Sequence, residues 1–143
     1  MAASRHRGRE LAIQMSYQWI LDPLALSDAK SIDRFWKEQA LSNDENREFF
    51  ESLVRGVAAY IPEIDEKIQS VLHSQWRLER LERIDHALLR VAVYEMLFYK
   101  GKDPADAAVV IDEAIEIAKK FGTQQSPSFI NGVLDKIGQV GKG

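Results

Sequence analysis

Apolar residues recur at intervals of three and four through most of this chain, and no stretch alternates with the period of two that a half-buried strand requires. That periodicity predicts an all-α fold. Leu11, Met15 and Trp19 form one stripe of a first helix and Ile13, Tyr17 and Ile20 a second, so the helix is expected to be contacted on two sides before Asp22 and Pro23 end it. Ile32, Phe35, Trp36 and Ala40 give the next helix its core face. Ser42 and Glu45 have the spacing of a capping box that opens a third.

In that third helix Phe50, Leu53, Val54, Val57, Ala58 and Ile61 keep the helical spacing until Pro62, which forces a kink or a fresh helix carrying Ile64, Ile68, Val71 and Leu72. Gly56 interrupts the pattern at a cost of about 1 kcal/mol relative to alanine, which points to close packing there. From Ile84 to Phe98 nearly every face is apolar, the mark of a central, buried helix. Asp103 before Pro104 and Ser126 before Pro127 read as helix starts, and Gly122 as the stop between them. The last helix buries Ile130, Val133, Leu134 and Ile137. Six or seven helices in one or two small bundles result, within one domain spanning 1–143 whose residues 138–143 are expected to fray.

Composition removes whole classes of function. Without cysteine there is neither a disulfide nor a thiolate metal site, and thiol catalysis is excluded. The three histidines at 6, 73 and 86 lack the spacing that would set two imidazoles on one metal. Asp112, Glu113 and Glu116 share a helix, as solvated carboxylates commonly do, and no glycine-rich phosphate loop or nucleophile elbow occurs. The expectation is a protein with no catalytic residue, no metal and no cofactor. With no signal-peptide run and no transmembrane span, a soluble, cytoplasmic location is expected.

Two features exceed what a plain helical bundle requires. The net charge of −3 hides Arg5, Arg7 and Arg9 in the first nine residues, which contain no acid. Removing those three charges leaves −6 for the remainder, so residues 1–9 read as a flexible basic arm on an acidic body. Such an arm, His6 included, can pair with phosphates and order on binding, or be an ordinary charged terminus. The second feature is Phe129, which falls off the core stripe of the last helix near its start. It can seat an unstacked base there, or pack on a neighbouring helix. Gly132 projects almost opposite that stripe, so the core does not explain it; a glycine inside a helix often marks close approach by a backbone or a ligand.

Taken in order, Arg7-Gly8-Arg9-Glu10-Leu11-Ala12-Ile13-Gln14, Leu88-Leu89-Arg90-Val91-Ala92-Val93-Tyr94-Glu95, and the run from Glu113 to Gly122 resemble the NusB family. So does the ending Ser126, Phe129-Ile130-Asn131-Gly132-Val133-Leu134-Asp135. The resemblance runs from about Arg5 to Ile137. It implies two small helical bundles and a role in transcription antitermination, chiefly on ribosomal RNA operons. It also implies binding of single-stranded boxA RNA together with the small-subunit ribosomal protein NusE, in a complex on RNA polymerase with other Nus factors. The free protein is expected to be a monomer or a homodimer.

Carried over residue by residue, the resemblance assigns RNA contacts to Arg5, His6, Arg7, Arg9, Ser126 and Phe129. The ribosomal-protein face falls on Asp85, with Glu82 and Arg83 beside it. The chain departs from the family pattern at His6, where an arginine is common, and at Ser128, where a lysine can occur, which predicts weaker or more pH-sensitive RNA affinity. Asp112 replaces a usual asparagine and loses its donor. Two rival readings remain. One is a protein adaptor without RNA affinity; the other is an RNA-modifying enzyme, because NusB-like domains also occur fused to RNA methyltransferases, although no cofactor-binding domain follows here.

Overall fold

A computed structural model describes residues 2–39, 44–73 and 77–142. Those residues form six α-helices: α1 (Ala2–Leu21), α2 (Ser31–Glu38), α3 (Asp44–Val71), α4 (Arg83–Leu97), α5 (Ala107–Phe121) and α6 (Ser126–Lys142). Short 3₁₀ turns lie at Pro23–Ser27 and Leu78–Arg80, and no strand occurs among the described residues.

The two stripes of α1 have two neighbours. Leu11, Ile13, Met15 and Trp19 are all buried, and α1 packs against both α3 and α4. α2 lays its buried Ile32, Phe35 and Trp36 toward α3, where Phe35 stacks on Phe50 at 5.6 Å between ring centroids. α5 and α6 pair with each other and close over α4. α1–α3 and α4–α6 thus make two small bundles, and α4, packed on members of both, joins their apolar faces into one core. That position explains its composition: Ala87, Leu88, Leu89, Val91, Ala92 and Val93 are buried around most of its circumference, the half-buried His86 and Arg90 marking the remaining face.

Pro62 acts as its chemistry requires. It lacks the amide hydrogen for the helical bond and disfavours helical geometry in the residue before it, and α3 kinks at Tyr60 (φ −120°, ψ 17°). Gly56 sits where a side chain has no room, since a Cβ there would fall 1.9 Å from the Tyr94 ring. The close packing expected at this glycine is with an aromatic ring of α4.

Three boundaries differ from the sequence pattern. The segment expected to project as an arm over residues 1–9 is helical from Ala2, with Gly8 and Arg9 already buried. Asp103 does not start α5. It takes a left-handed backbone (φ 51°) in the preceding loop, and Asp106 is the cap residue, without a side-chain capping bond. α6 continues through Lys142, beyond the start of the expected tail at 138. Ala40, the capping-box residue Ser42 and the final Gly143 lie outside the described residues.

Candidate nucleic-acid interface

The start of α6 is a tightly bonded corner. Gly122 ends α5 in an extended conformation, its N–H bonded to Ala118 O at 2.8 Å, and a Cβ there would lie 2.5 Å from the Ser126 side chain. Ser126 Oγ accepts from the Thr123 N–H at 2.9 Å and donates to Asp85 Oδ1 at 2.6 Å, while the Gln125 N–H reaches Thr123 Oγ1 at 3.3 Å. These bonds satisfy amides that a helix start otherwise leaves open. Ser126 is 1% exposed and Asp85 6%, so neither side chain offers a surface. Burial raises the Asp85 pKa above the usual carboxylate range, Ser126 partly offsets this, and the nearby Glu82 charge adds to it.

Beyond this corner α6 becomes accessible. Phe129 is half-buried, with part of its ring against the core. The packing expected of this residue is therefore observed, and the rest of its ring stays accessible. Ser128 and Gly132 are exposed, and a Cβ at Gly132 would meet nothing within 4 Å. Asp85 stands in the first turn of α4, where Glu82 and Arg83 are exposed. The Asp85–Ser126 bond therefore brings the candidate partner face and the candidate RNA helix side by side.

The basic segment is laid along the body, not projected from it. Arg5 donates to the carbonyls of Lys102 at 2.7 Å and Asp103 at 2.5 Å, and its guanidinium lies 4.6 Å from the Phe49 ring centroid. His6 Nδ1 pairs with Glu113 Oε2, and Nε2 lies 3.8 Å from Glu10. Arg7 and Lys120 converge on Glu10 at 3.1 and 3.0 Å. Burial would raise the Glu10 pKa, but hydrogen bonds from Lys120 and Arg7 outweigh it and hold the pKa below the usual range.

Arg9 forms a bidentate pair with Glu95 at 2.7 and 2.6 Å and is 5% exposed. Its charge is spent inside the fold, where removing one partner of such a pair costs about 3–5 kcal/mol. The structure thus separates residues that the sequence reading grouped. Arg5 and Arg7 keep accessible surface, Arg9 and Ser126 are internal, and Asp85 supports α6 from beneath.

Arg5 and Phe129 do not meet. Arg5 touches the loop just before α5 and Ser126 follows its end, and the fifteen residues of α5 span about 22 Å. Lys120, on the last turn of α5 and bonded to Glu10, lies between them; it was not singled out from sequence because its partner is 110 residues away. Lys100 likewise bonds to Tyr60, 40 residues away. No cluster of three or more metal-ligating side chains occurs among the described residues, and no helix there is long and apolar enough to cross a membrane.

Comparison with known proteins agrees with this architecture. The model of the NusB family matches residues 6–139. The transcription antitermination protein NusB of Anaeromyxobacter dehalogenans (strain 2CP-1 / ATCC BAA-258) is 42% identical over 137 residues, covering 96% of this chain and 92% of that protein. T. maritima NusB is similar with a TM-score of 0.78 at 33% identity, over 94% of this chain and 90% of that one. A chain in the crystal structure of antitermination factors NusB and NusE in complex with dsRNA matches with a TM-score of 0.83 at 26% identity, over 98% of this chain and 99% of that one. With matches that run almost end to end in sequence and in fold, the chain belongs to the NusB family.

Proposed function

We propose that this chain is a transcription antitermination factor that binds boxA RNA together with the small-subunit ribosomal protein NusE. In this reading the pair helps assemble the antitermination complex on RNA polymerase, chiefly for ribosomal RNA operons. The observation that carries the reading is the near-complete match to a chain from a complex of antitermination factors NusB and NusE with dsRNA.

In this proposal Phe129 is the stacking residue. Its ring is half-accessible beside the first turn of α6, where the helix dipole favours an adjoining phosphate. A single-stranded target suits it, because an unstacked base exposes the face that a duplex conceals. Arg5, Arg7 and His6 supply phosphate attraction along α1. Arg9 and Ser126 act as positioning residues, the first fixing α1 on α4 and the second fixing the start of α6. Glu82 and Arg83 are the proposed contacts for NusE, and Asp85 orients them from below.

The test is a fluorescence-anisotropy titration of labelled single-stranded boxA RNA, a scrambled strand and a boxA duplex, at fixed salt, with and without NusE. Selective binding of single-stranded boxA that tightens when NusE is added is the expected result. Equal binding of the scrambled strand would remove the boxA assignment, and preference for the duplex would remove base stacking by Phe129. Absence of RNA binding in both conditions would favour the protein-adaptor reading.

A further inference from the structure

Most basic side chains that bond within this molecule are neutralised by acids. Arg7, Arg9, Arg34, Lys37, Arg47, Arg55, Arg90, Lys119 and Lys120 all pair with carboxylates. Arg5 and Lys100 are different, because both are held by neutral groups. Arg5 bonds to two main-chain carbonyls and lies over Phe49; Lys100 Nζ donates to the Tyr60 hydroxyl at 2.6 Å. Each cation is thus fixed in position by groups that do not neutralise its charge.

Both open onto one surface cleft of about 840 Å³ at the N-terminal end of α1. Lys102, exposed on the same loop, adds a third cation to its lining. The loop itself is tied down, since Lys102 O accepts from both Arg5 and the Tyr99 hydroxyl, the latter at 3.1 Å. Four carboxylates stand near the cleft. Glu95 is neutralised by Arg9, while Glu113, bonded to His6, lines the cleft with Glu48 and Asp103, and none of these three carboxylates pairs with Arg5, Lys100 or Lys102. The cleft therefore presents three cations that no carboxylate among the described residues has paired, on a chain whose net charge is −3. Holding cations in place without acids lowers the ordering cost of accepting an anion.

We propose that this cleft is a second phosphate site, in which Arg5, Lys100 and Lys102 take backbone phosphates of the same RNA strand whose base stacks at Phe129. The inference rests on the RNA-binding reading above and extends it to the other end of α5. At 3.4 Å per stacked nucleotide, the roughly 22 Å of α5 corresponds to about six nucleotides. A strand that stays stacked and is shorter than that reaches one site only.

The experiment compares two double variants of the full chain, Lys100→Gln with Lys102→Gln, and Lys30→Gln with Lys67→Gln as a charge-matched control on exposed lysines away from the cleft. Circular dichroism checks that both fold. Anisotropy titrations over a salt series use single-stranded boxA RNAs of about twelve and about five nucleotides.

The cleft variant is expected to lower the slope of log affinity against log salt by about 1.4 with the longer RNA, at about 0.7 per lost phosphate contact. With the shorter RNA it is expected to match the control. Equal slopes for both variants on the longer RNA would overturn the second site and leave the antitermination reading standing. A cleft variant that loses NusE affinity but not RNA affinity would reassign the cleft to a protein. Failure of the unaltered chain to bind either RNA would overturn both readings.

Discussion

Two aspartates, Asp65 half-buried and Asp85 buried, show how the surroundings of a residue, more than its type, set what it contributes. Asp65 joins α3 to α4, accepting from His86 Nε2 at 2.9 Å and from Arg90 at 3.0 and 2.8 Å. Burial would raise its pKa, but these hydrogen bonds outweigh burial and hold it below the usual value. Its contribution to stability is therefore full above the unfolded pKa of about 4 and is lost as pH falls through the lower folded value. Asp85 has the opposite sign. Burial raises its pKa with only Ser126 in compensation, so the folded state binds the proton more tightly and stability declines as pH rises above about 4. Asp85→Asn keeps an oxygen that can accept from Ser126 and removes the buried charge. Thermal melts across a pH series are expected to give the variant a Tm a few degrees higher near neutral pH and a flatter profile above about pH 4. A lower Tm at neutral pH would contradict this account of the corner.

At the scale of elements, helical periodicity was a dependable guide wherever a helix buries one face against a neighbour. The stripes of α1, the core face of α2, the near-all-round burial of α4 and the kink near Pro62 follow from spacing alone. The start of α5 did not, because Asp-Pro is a local signal and a tertiary contact set the outcome. Arg5, 98 residues away, binds the Asp103 carbonyl, and the loop continues to Asp106. The inward turn of Arg9 is invisible in the sequence for a similar reason, since its partner Glu95 is 86 residues distant. In α6 the sequence did mark an oddity that the fold leaves in place. Gly132 is exposed, and nothing within the chain requires it. Gly132→Ala is expected to stabilise the free protein by about 0.5–1 kcal/mol in denaturant unfolding, as an exposed helix-interior glycine should. A destabilised variant would show that the glycine serves the fold of the free chain.

For the molecule as a whole, the sequence suggested a basic arm on an acidic body, and the structure redistributes that charge. Paired with Glu10 and Glu95, the cations of Arg7 and Arg9 project less field than their count implies. Cations held in place by neutral groups lie at Arg5 and at Lys100 in the loop after α4. Because α4 carries the shared core and its first turn is bonded to α6, the proposed NusE and RNA surfaces rest on one rigid frame. Such a frame suits an assembly in which selectivity comes from the pair, each component presenting part of one surface. In the proposed assembly this chain supplies a half-accessible ring and a few fixed cations, and NusE the rest of the surface.

The most direct measurement is transcription through a terminator on a template carrying boxA, with polymerase, NusE and the other Nus factors present and this chain added or withheld. The account predicts that readthrough rises when the chain is added, requires an intact boxA, and falls when Phe129→Ala replaces it, in line with a stacking loss of about 1–3 kcal/mol. Readthrough unchanged by the chain, or independent of boxA, would contradict its assignment as an antitermination factor acting through that RNA.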